Sequence, residues 1–236
     1  MINEAIILAG GLGTRLRSII KNMPKPMANI CGKPFLEYII EYLRKQKIKR
    51  VILSVGYKYE IIKEYFGENY KGMDITYVVE KEPLYTGGAI KYSIKDVNSK
   101  EVFIINGDTF FNLNLNIFYN LHKNKKAILS IALKKMEFNQ RYGVVEINKD
   151  NKIIGFFEKN KRNNVLINGG IYIINCDFIQ SLMAKEKFSF EKDFLEENYK
   201  KYEFYGFPFE EYFIDIGVPE DYERAKIEFE KIQYKG

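Results

Sequence analysis

The sequence predicts an α/β fold, in which a Rossmann-like, mostly parallel but mixed sheet is flanked by helices and followed by a β-rich extension. Three observations support this prediction. Short apolar runs alternate with amphipathic segments through the first half of the chain. These runs are apolar throughout, as expected of strands covered by helices on both faces. In the second half, apolar runs are split by turn residues, which is typical of hairpins.

The first half predicts strands and helices in alternation. Leu36, Ile39, Ile40 and Leu43, for example, recur at helical spacing. In chain order the predicted elements are a strand at 5–8, a helix at 35–47, a strand at 50–55, a helix at 59–66, a strand at 75–79, a helix within 87–94 and a strand at 102–106. Since sheets of this kind bind ligands beyond the carboxyl ends of their strands, we expect a site at the loops after residues 8 and 106.

The second half predicts a hairpin, a further strand and two helices. The hairpin spans 144–158 and turns at 148–151, and the strand at 165–174 is interrupted at 168–170. Ser189 is a suitable N-cap for a helix, and Pro219 suits the first position of a closing helix. No linker or repeat divides the chain, so we expect a single domain over residues 1–236 with halves at about 1–110 and 111–236.

The charge pattern favours small anionic ligands over nucleic acids. The 236 residues carry a net charge of +6, with 46% hydrophobic content, which suffices for one core. Basic residues are interspersed with acids, as in Lys185-Glu186-Lys187, whereas nucleic-acid-binding proteins concentrate them in one stripe. We therefore expect no nucleic-acid partner.

The cysteines and the N-terminal segment predict a cytoplasmic protein. Cys31 and Cys176 show no CxxC spacing, which favours unpaired thiols in a reducing compartment. The apolar run at 5–8 is too short for a signal peptide or a membrane span. We expect no membrane partner.

The segment LAGGLGTRLRSIIKNMPKPM, residues 8–27, is the strongest functional signal in the sequence. A glycine-rich turn between strand and helix exposes backbone N–H groups that bind phosphate oxygens. It is neither a P-loop, since Arg15-Leu16-Arg17 replaces Gly-Lys-Ser/Thr, nor a dinucleotide fingerprint, which needs glycine in place of Leu16. The glycines alone are equally compatible with a simple tight turn.

The triplet Pro24-Lys25-Pro26 favours the phosphate hypothesis. Two prolines fix φ on either side of Lys25, which lowers the entropy lost when its ammonium is aimed at a ligand. A lysine held in this way suits phosphate neutralisation. The alternative is a surface turn with a solvated lysine.

Together these motifs resemble the sugar-phosphate nucleotidyltransferase family. The family signature Leu-x-Gly-Gly-x-Gly-Thr-Arg-Leu stands at residues 8–16 and is followed by the Pro-Lys-Pro triplet. The resemblance continues in Glu82-Pro83-Leu84-Tyr85-Thr86-Gly87-Gly88-Ala89, Asn106-Gly107-Asp108, Tyr142-Gly143-Val144-Val145, Glu158-Lys159, Asn168-Gly169-Gly170-Ile171-Tyr172 and Asp215-Ile216-Gly217.

The resemblance implies roles for many of these residues. It implies that Arg15, Lys25 and Asp108 are catalytic, with Arg15 and Lys25 on the phosphates of a nucleoside triphosphate. The residues it implies in nucleotide binding are Leu8, Gly10, Gly11, Gly13, Thr14, Glu80, Glu82, Gly87 and Asn106. Those it implies in binding the sugar phosphate, on the β-rich extension, are Gly143, Glu158, Lys159, Asn168 and Gly169. The alternative is that Glu158 and Lys159 end an exposed strand and that Asn168 forms a bulge.

Asp108 and Asp215 predict a magnesium site. Each follows an apolar run and lies beside a glycine, and carboxylates at two strand ends can share one hard divalent ion. Either aspartate alone would more often be a turn former or a helix cap. As a pair they match the magnesium ligands of the family, so we expect Mg²⁺ as cofactor.

The implied reaction needs no general base. A sugar 1-phosphate oxygen attacks the α-phosphorus of the triphosphate and pyrophosphate leaves, so charge neutralisation and alignment dominate. The nucleophile is already anionic. His122 is the only histidine and stands in the polar stretch 120–126, where we expect it at the surface.

Glu80 and Glu82 favour guanine as the base. Guanine presents adjacent N1–H and N2–H donors that one carboxylate accepts, whereas uracil and thymine suit an amide side chain. Either glutamate could instead end a strand in solvent. Tyr85 departs from the glycine that is common at this position of the family, and its ring could stack on the base or close the pocket.

The expected partners are therefore GTP and a sugar 1-phosphate. The alternatives are another pair, such as GTP with mannose 1-phosphate or CTP, UTP or dTTP with another hexose 1-phosphate, or a catalytically silent nucleotide-sugar sensor. The closing helix at Pro219 could pack on its own domain or form a homodimer.

Overall fold

The computed structural model describes residues 2–11, 16, 20, 22–139, 142–157 and 162–233. The strands are β1 (Glu4–Leu8), β2 (Asn29–Ile30), β3 (Lys33–Pro34), β4 (Arg50–Val55), β5 (Asn69–Tyr70), β6 (Met73–Val79), β7 (Glu101–Asn106), β8 (Thr109–Phe111), β9 (Leu129–Asn139), β10 (Val144–Ile147), β11 (Ile153–Phe157), β12 (Arg162–Asn175), β13 (Phe204–Phe209) and β14 (Phe213–Asp215).

The α-helices are α1 (Phe35–Lys45), α2 (Tyr59–Phe66), α3 (Tyr85–Ile94), α4 (Leu115–Asn124), α5 (Cys176–Leu182), α6 (Glu196–Asn198) and α7 (Pro219–Gln233). Two shorter elements contribute to the site. These are a 3-10 turn at Lys25–Met27 and a π-helical turn at Phe190–Leu195. Ser189 caps the second of these, because its hydroxyl accepts a hydrogen bond from Lys192 N at 3.2 Å.

One mixed sheet organises the chain, in the order β11-β10-β12-β7-β1-β4-β6-β5, with β9 joining β12 and β13 joining β9. The strands β7, β1, β4 and β6 are parallel, and β12 enters antiparallel to β7. This arrangement confirms the predicted α/β class and its mostly parallel, mixed sheet. The predicted strand at 50–55 and helix at 59–66 coincide with β4 and α2, and the other predicted elements of the first half differ from the observed ones at their ends.

Alternate residues of β1 bury opposite faces of the sheet. Ile7 belongs to the core beneath α1, α4 and α7, while Ile6 belongs to the core beneath α3 and α5. Both side chains are completely buried. Two covered faces require apolar residues at every strand position, which is why the run at 5–8 has no polar alternation.

β12 ties the second half to the first. It pairs with β9 along most of its length, with β10 at Ile167, and with β7 from Ile171 to Asn175. The register with β9 shifts between Asn168 and Tyr172, so the predicted interruption at 168–170 is a bulge within one strand. Gly170 has a φ of 73° in this bulge, which favours glycine.

The closing helix α7 packs on its own chain. The ring of Phe229 lies 4.5 Å from that of Tyr38, centroid to centroid, and Tyr222 Oη donates to Asn29 O at 2.8 Å. A homodimer is therefore not needed to cover this face of α7, and oligomerisation stays a prediction.

The prediction that His122 lies at the surface is wrong. His122 is fully buried on the inward face of α4, with Nδ1 2.8 Å from Ser130 Oγ and Nε2 3.6 Å from Glu101 Oε1. Burial lowers the pKa of His122, and the neighbouring Glu101 carboxylate opposes that shift. The polar residues next to His122 in the sequence, such as Asn120 and Lys123, are exposed. The local composition therefore predicted the position of His122 wrongly.

The thiols agree with the predicted reduced state. Cys31 and Cys176 are free, and burial raises the pKa of Cys176 to about 12. Within the described ranges, no helix combines the length and apolarity that crossing a membrane requires.

Candidate active site

A cavity of about 510 Å³ opens at the carboxyl ends of β1 and β7. This is the edge of the sheet at which the sequence predicts a ligand. Seven of the predicted site residues line the cavity, namely Leu8, Gly10, Gly11, Lys25, Glu80, Asn106 and Asp108. The predicted residues Gly13, Thr14, Arg15, Glu158 and Lys159 lie outside the described residues.

Lys25 and Asp108 form an ion pair in this cavity. Lys25 Nζ lies 2.6 Å from Asp108 Oδ2, and the lysine side chain is only 10% exposed. Pro24 holds an extended conformation before the 3-10 turn, which directs Lys25 inward. The rigid triplet and the end of β7 therefore bring together two groups that are 83 residues apart in sequence.

Asp215 lies beside this pair. It pairs with Thr109 across the small β8–β14 sheet, and Ile216 N donates to Asp108 O at 2.9 Å. A Cβ built on Gly217 would lie 2.7 Å from Asp215 Oδ1 and 3.3 Å from Lys25 Nζ. Both predicted carboxylates therefore lie next to the same ammonium.

The donor set fits a magnesium ion. Two carboxylates supply oxygen ligands, and Mg²⁺ takes its remaining ligands from water and substrate phosphates. Among the described residues no cluster of three or more His, Cys, Asp or Glu side chains forms a self-sufficient metal site.

Glu80 follows β6, which β1 and β4 separate from β7 in the sheet, so it lies across the cavity from Asp108; it is also more buried than its neighbour Glu82. Glu80 Oε1 accepts from Ser54 Oγ and Oε2 accepts from Leu84 N, both at 3.1 Å. Burial raises the pKa of Glu80, although these two hydrogen bonds oppose the shift. Glu82 is exposed and is not among the lining residues, so the geometry favours Glu80 as the carboxylate that meets a ligand.

Gly10 and Asn106 complete the walls beside these groups. Gly10 is so close to Glu80 that a Cβ built on it would overlap Oε1. Asn106 lines the cavity, and its buried Oδ1 has no hydrogen-bond partner among the described residues. An unpaired buried acceptor is costly in a native structure, so Asn106 is available to a donor from a ligand or water.

Gly87 packs against the second half of the chain and does not line the cavity. Gly87 N donates to Phe188 O at 2.9 Å, and Phe188 N donates to Leu84 O at 3.2 Å. A Cβ built on Gly87 would overlap the Phe188 ring, and one on Gly88 would overlap Glu186 O. We name residues 185–188 the α3 strap. The two glycines let this strap approach the start of α3.

The predicted sugar-phosphate residues lie further from the cavity wall. Asn168 Nδ2 donates to Tyr172 Oη at 2.7 Å, and its Oδ1 accepts from Gly170 N at 3.0 Å. A Cβ built on Gly169 would lie 2.7 Å from Ala132 O. Gly143 is exposed at the start of β10. None of Gly143, Asn168 and Gly169 lines the described cavity.

Glu191 lines the cavity and was not predicted as a site residue. Its Oε2 accepts from Thr86 Oγ1 at 2.7 Å and from Ser189 Oγ at 3.1 Å, and Oε1 accepts from Tyr172 Oη at 3.2 Å. Through Tyr172 it connects with Asn168. In the sequence, Glu191 stands two residues after the capping Ser189. An acid at that place is common in the first turn of a helix, so the sequence alone did not mark Glu191 as a site residue.

Comparison with known proteins identifies the family. Residues 4–232 match the family model described as nucleotidyl transferase. The chain belongs to the nucleotidyl transferase family. The predicted resemblance is thereby confirmed, and the chain is a nucleotidyltransferase.

Two curated members of the nucleotidyl transferase family resemble the whole chain, and both are D-glycero-α-D-manno-heptose 1-phosphate guanylyltransferases. The one from Aneurinibacillus thermoaerophilus is 51% identical over 96% of this chain and 98% of its own length. The one from Campylobacter jejuni is 54% identical over 93% and 96%. Short segments of the sequence, such as NGDTFFN (106–112) and FSFEKDFLEE (188–197), also resemble this enzyme.

Solved structures also resemble this chain over nearly its whole length. HddC from Yersinia pseudotuberculosis superimposes with a TM-score of 0.86 at 39% identity, over 97% of this chain and all of the other. The same protein has also been solved in complex with GMP-PN, with a TM-score of 0.85.

Replacing Gly88 by alanine tests the α3 strap. The added Cβ would overlap the backbone oxygen of Glu186, and we expect Gly88→Ala to lower the free energy of unfolding by about 1–3 kcal/mol, as overpacking does. Urea denaturation measures this loss. Gly11→Ala is the matched control, since in the described part of the chain its Cβ meets nothing within 4 Å. Equal stability of the two variants would contradict the packing role of Gly88.

Proposed function

We propose that this protein transfers GMP from GTP to D-glycero-α-D-manno-heptose 1-phosphate and releases pyrophosphate. The observation that carries the proposal is the cavity lined by Glu80, which follows β6, and by the Lys25–Asp108 ion pair, with Asp215 beside that pair. The choice of heptose is supported by the names of the relatives that are 51% and 54% identical. The product is an activated sugar donor, which suits the synthesis of bacterial capsule or surface polysaccharide in the cytoplasm.

In this proposal each half of the chain holds one substrate. Residues of about 1–110 bind the nucleotide, and residues of about 111–236 bind the sugar phosphate and supply the closing helix. The sugar-phosphate side includes Gly143, Glu158, Lys159, Asn168 and Gly169. The hydrogen bonds from Asn168 through Tyr172 to Glu191 connect the sugar-phosphate side of this proposal to the cavity.

Charge neutralisation is the main task of the site, because a sugar phosphate must approach a triphosphate. Lys25 supplies a cation that lies within the cavity and stabilises negative charge on the phosphates. The loop at Gly10 and Gly11 follows the same wall, and Arg15 is assigned to the departing pyrophosphate. An Mg²⁺ held by Asp108 and Asp215 would add charge neutralisation and alignment of the two phosphates. The phosphate nucleophile is anionic, so the burial of His122 away from the cavity does not matter for this chemistry.

Glu80 is proposed to select guanine. Its ionised carboxylate can accept from N1–H and N2–H of guanine while it keeps the donors Ser54 and Leu84, since each oxygen has two lone pairs. Adenine offers no such donor pair on that edge.

A matrix of nucleoside triphosphates against sugar 1-phosphates tests the function. Pyrophosphate release should be fastest with GTP and the heptose 1-phosphate. CTP, UTP and dTTP, and mannose 1-phosphate as acceptor, should be poorer. Equal rates with all triphosphates, or none with any sugar phosphate despite GTP binding, would contradict the proposal.

Removing either aspartate tests the metal site. We expect Asp108→Asn and Asp215→Asn to weaken Mn²⁺ binding to the GTP complex by at least about tenfold, because each change removes a charged oxygen ligand. Mn²⁺ titration by electron paramagnetic resonance measures the binding, alongside Mg²⁺-dependent pyrophosphate release. Asp150→Asn is the control, as its side chain is 79% exposed in the turn after β10. Unchanged Mg²⁺-dependent turnover in Asp108→Asn would contradict the assignment.

The raised pKa of Glu80 predicts a pH dependence. Only the ionised form accepts both guanine donors, so GTP affinity should fall as pH decreases through the pKa of Glu80, which burial raises from its ordinary value. Glu80→Gln should reduce GTP affinity by roughly tenfold or more and remove this dependence, since a charged hydrogen bond is lost. Calorimetric titration at several pH values measures both.

Glu68→Gln is the control for this experiment, because the Glu68 side chain is 80% exposed. Loss of GTP preference in Glu82→Gln rather than Glu80→Gln would show that the neighbouring carboxylate selects the base.

A further inference from the structure

We propose that Tyr85 is a specificity-determining residue whose ring stacks on the purine of the nucleotide. This inference rests on the proposed function and extends it. Glu80 would recognise the hydrogen-bonding edge of the base, and Tyr85 would recognise the size of the base's flat face.

The position of Tyr85 is the first observation. It is the first residue of α3 and lines the cavity, yet 63% of its surface is exposed. The ring therefore lies at the mouth of the cavity and is incompletely covered by the protein itself. A large exposed aromatic side chain beside a ligand cavity is well suited to cover a bound ligand.

The backbone of Tyr85 is the second observation. Its φ of 59° lies in the left-handed region, which disfavours a bulky side chain and favours glycine or asparagine. Strained residues of this kind are concentrated at ligand sites. The strain is maintained by Leu84, whose N donates to Glu80 at 3.1 Å and whose O accepts from Phe188 N at 3.2 Å.

These hydrogen bonds also decide which part of the nucleotide Tyr85 meets. Because Leu84 is bonded to Glu80, the ring of the next residue belongs to the base end of the cavity. The charged group of Lys25 and Asp108 belongs to the phosphate end. Pro83 and Ala89 add apolar surface on the side of Tyr85.

The α3 strap restrains the ring. Lys187 Nζ lies 5.5 Å from the centroid of the Tyr85 ring, within the range of a cation–π contact. Phe188 fixes the adjacent backbone through its hydrogen bonds to Leu84 and Gly87. With the backbone fixed, only the side-chain torsions of Tyr85 remain to be ordered when a base binds.

Stacking predicts a preference for purines over pyrimidines. A two-ring base overlaps the tyrosine ring over a larger area than a one-ring base does. Removing an aromatic platform reduces affinity for a stacked base by about tenfold or more. The loss should be much smaller for UTP.

Three substitutions at position 85 separate the ring from the backbone. Tyr85→Phe keeps the ring. Tyr85→Asn and Tyr85→Gly remove it and suit the left-handed backbone, so neither should lower the midpoint of thermal unfolding. Calorimetric titration of each protein with GTP and with UTP, in Mg²⁺ and without sugar phosphate, gives the affinities.

We expect Tyr85→Phe to bind GTP within twofold of the wild type. Tyr85→Asn and Tyr85→Gly should lose about tenfold in GTP affinity, so that the ratio of GTP to UTP affinity falls by a similar factor. Unchanged GTP binding in Tyr85→Asn would overturn the inference, as would equal losses for GTP and UTP. A wild-type protein that prefers a pyrimidine triphosphate would contradict the proposed function as well as this inference. A wild-type protein that prefers GTP, with unchanged GTP binding in Tyr85→Asn, would contradict only the inference.

Discussion

The ion pair between Lys25 and Asp108 is the interaction on which the site depends. It joins the turn after the glycine loop to the end of β7 at 2.6 Å, with the lysine side chain 10% exposed and the aspartate side chain 37% exposed. A buried cation without a partner is strongly destabilising, so Asp108 compensates Lys25 in the absence of ligand. Because both charges are already fixed at the cavity, little reorganisation is required when a polyanion binds. Such preorganised charges are the most effective means of stabilising phosphate-transfer chemistry.

The second half of the chain is connected to this site in two ways. The α3 strap hydrogen bonds to Leu84 and Gly87, and Glu191 accepts hydrogen bonds from Thr86 and Tyr172. Both connections meet the N-terminal end of α3, next to the base end of the cavity. Segments that belong to the sugar-phosphate side in our proposal therefore shape the nucleotide side.

Much of the fold could be predicted because it depends on local sequence patterns. Two-sided apolar runs identify parallel strands, and Pro219 and Gly67 mark helix ends, without knowledge of long-range contacts. The burial of His122 could not be predicted in this way, since it depends on which face of α4 meets β9. The strand β9 itself was not predicted. Its polar C-terminal part, with Lys134 and Lys135, pairs with β12, and that pairing is set by a strand distant in sequence.

The candidate site was predictable where chemistry and position coincide. Lys25, Asp108 and Asp215 have charges that suit phosphate and metal, and each adjoins a rigid turn or a strand end. The roles of Gly87 and Glu191 were harder to predict, because each depends on a contact with a residue distant in sequence. Gly87 makes room for Phe188, and the carboxylate of Glu191 meets hydroxyl groups from α3 and β12.

A crystal structure with GTP and Mn²⁺ tests the central claim most directly, because manganese is located by its anomalous scattering. The account predicts a manganese peak in coordination contact with carboxylate oxygens of both Asp108 and Asp215, with the ammonium of Lys25 on a phosphate oxygen. A peak remote from both carboxylates, or a triphosphate bound away from Lys25, would contradict it.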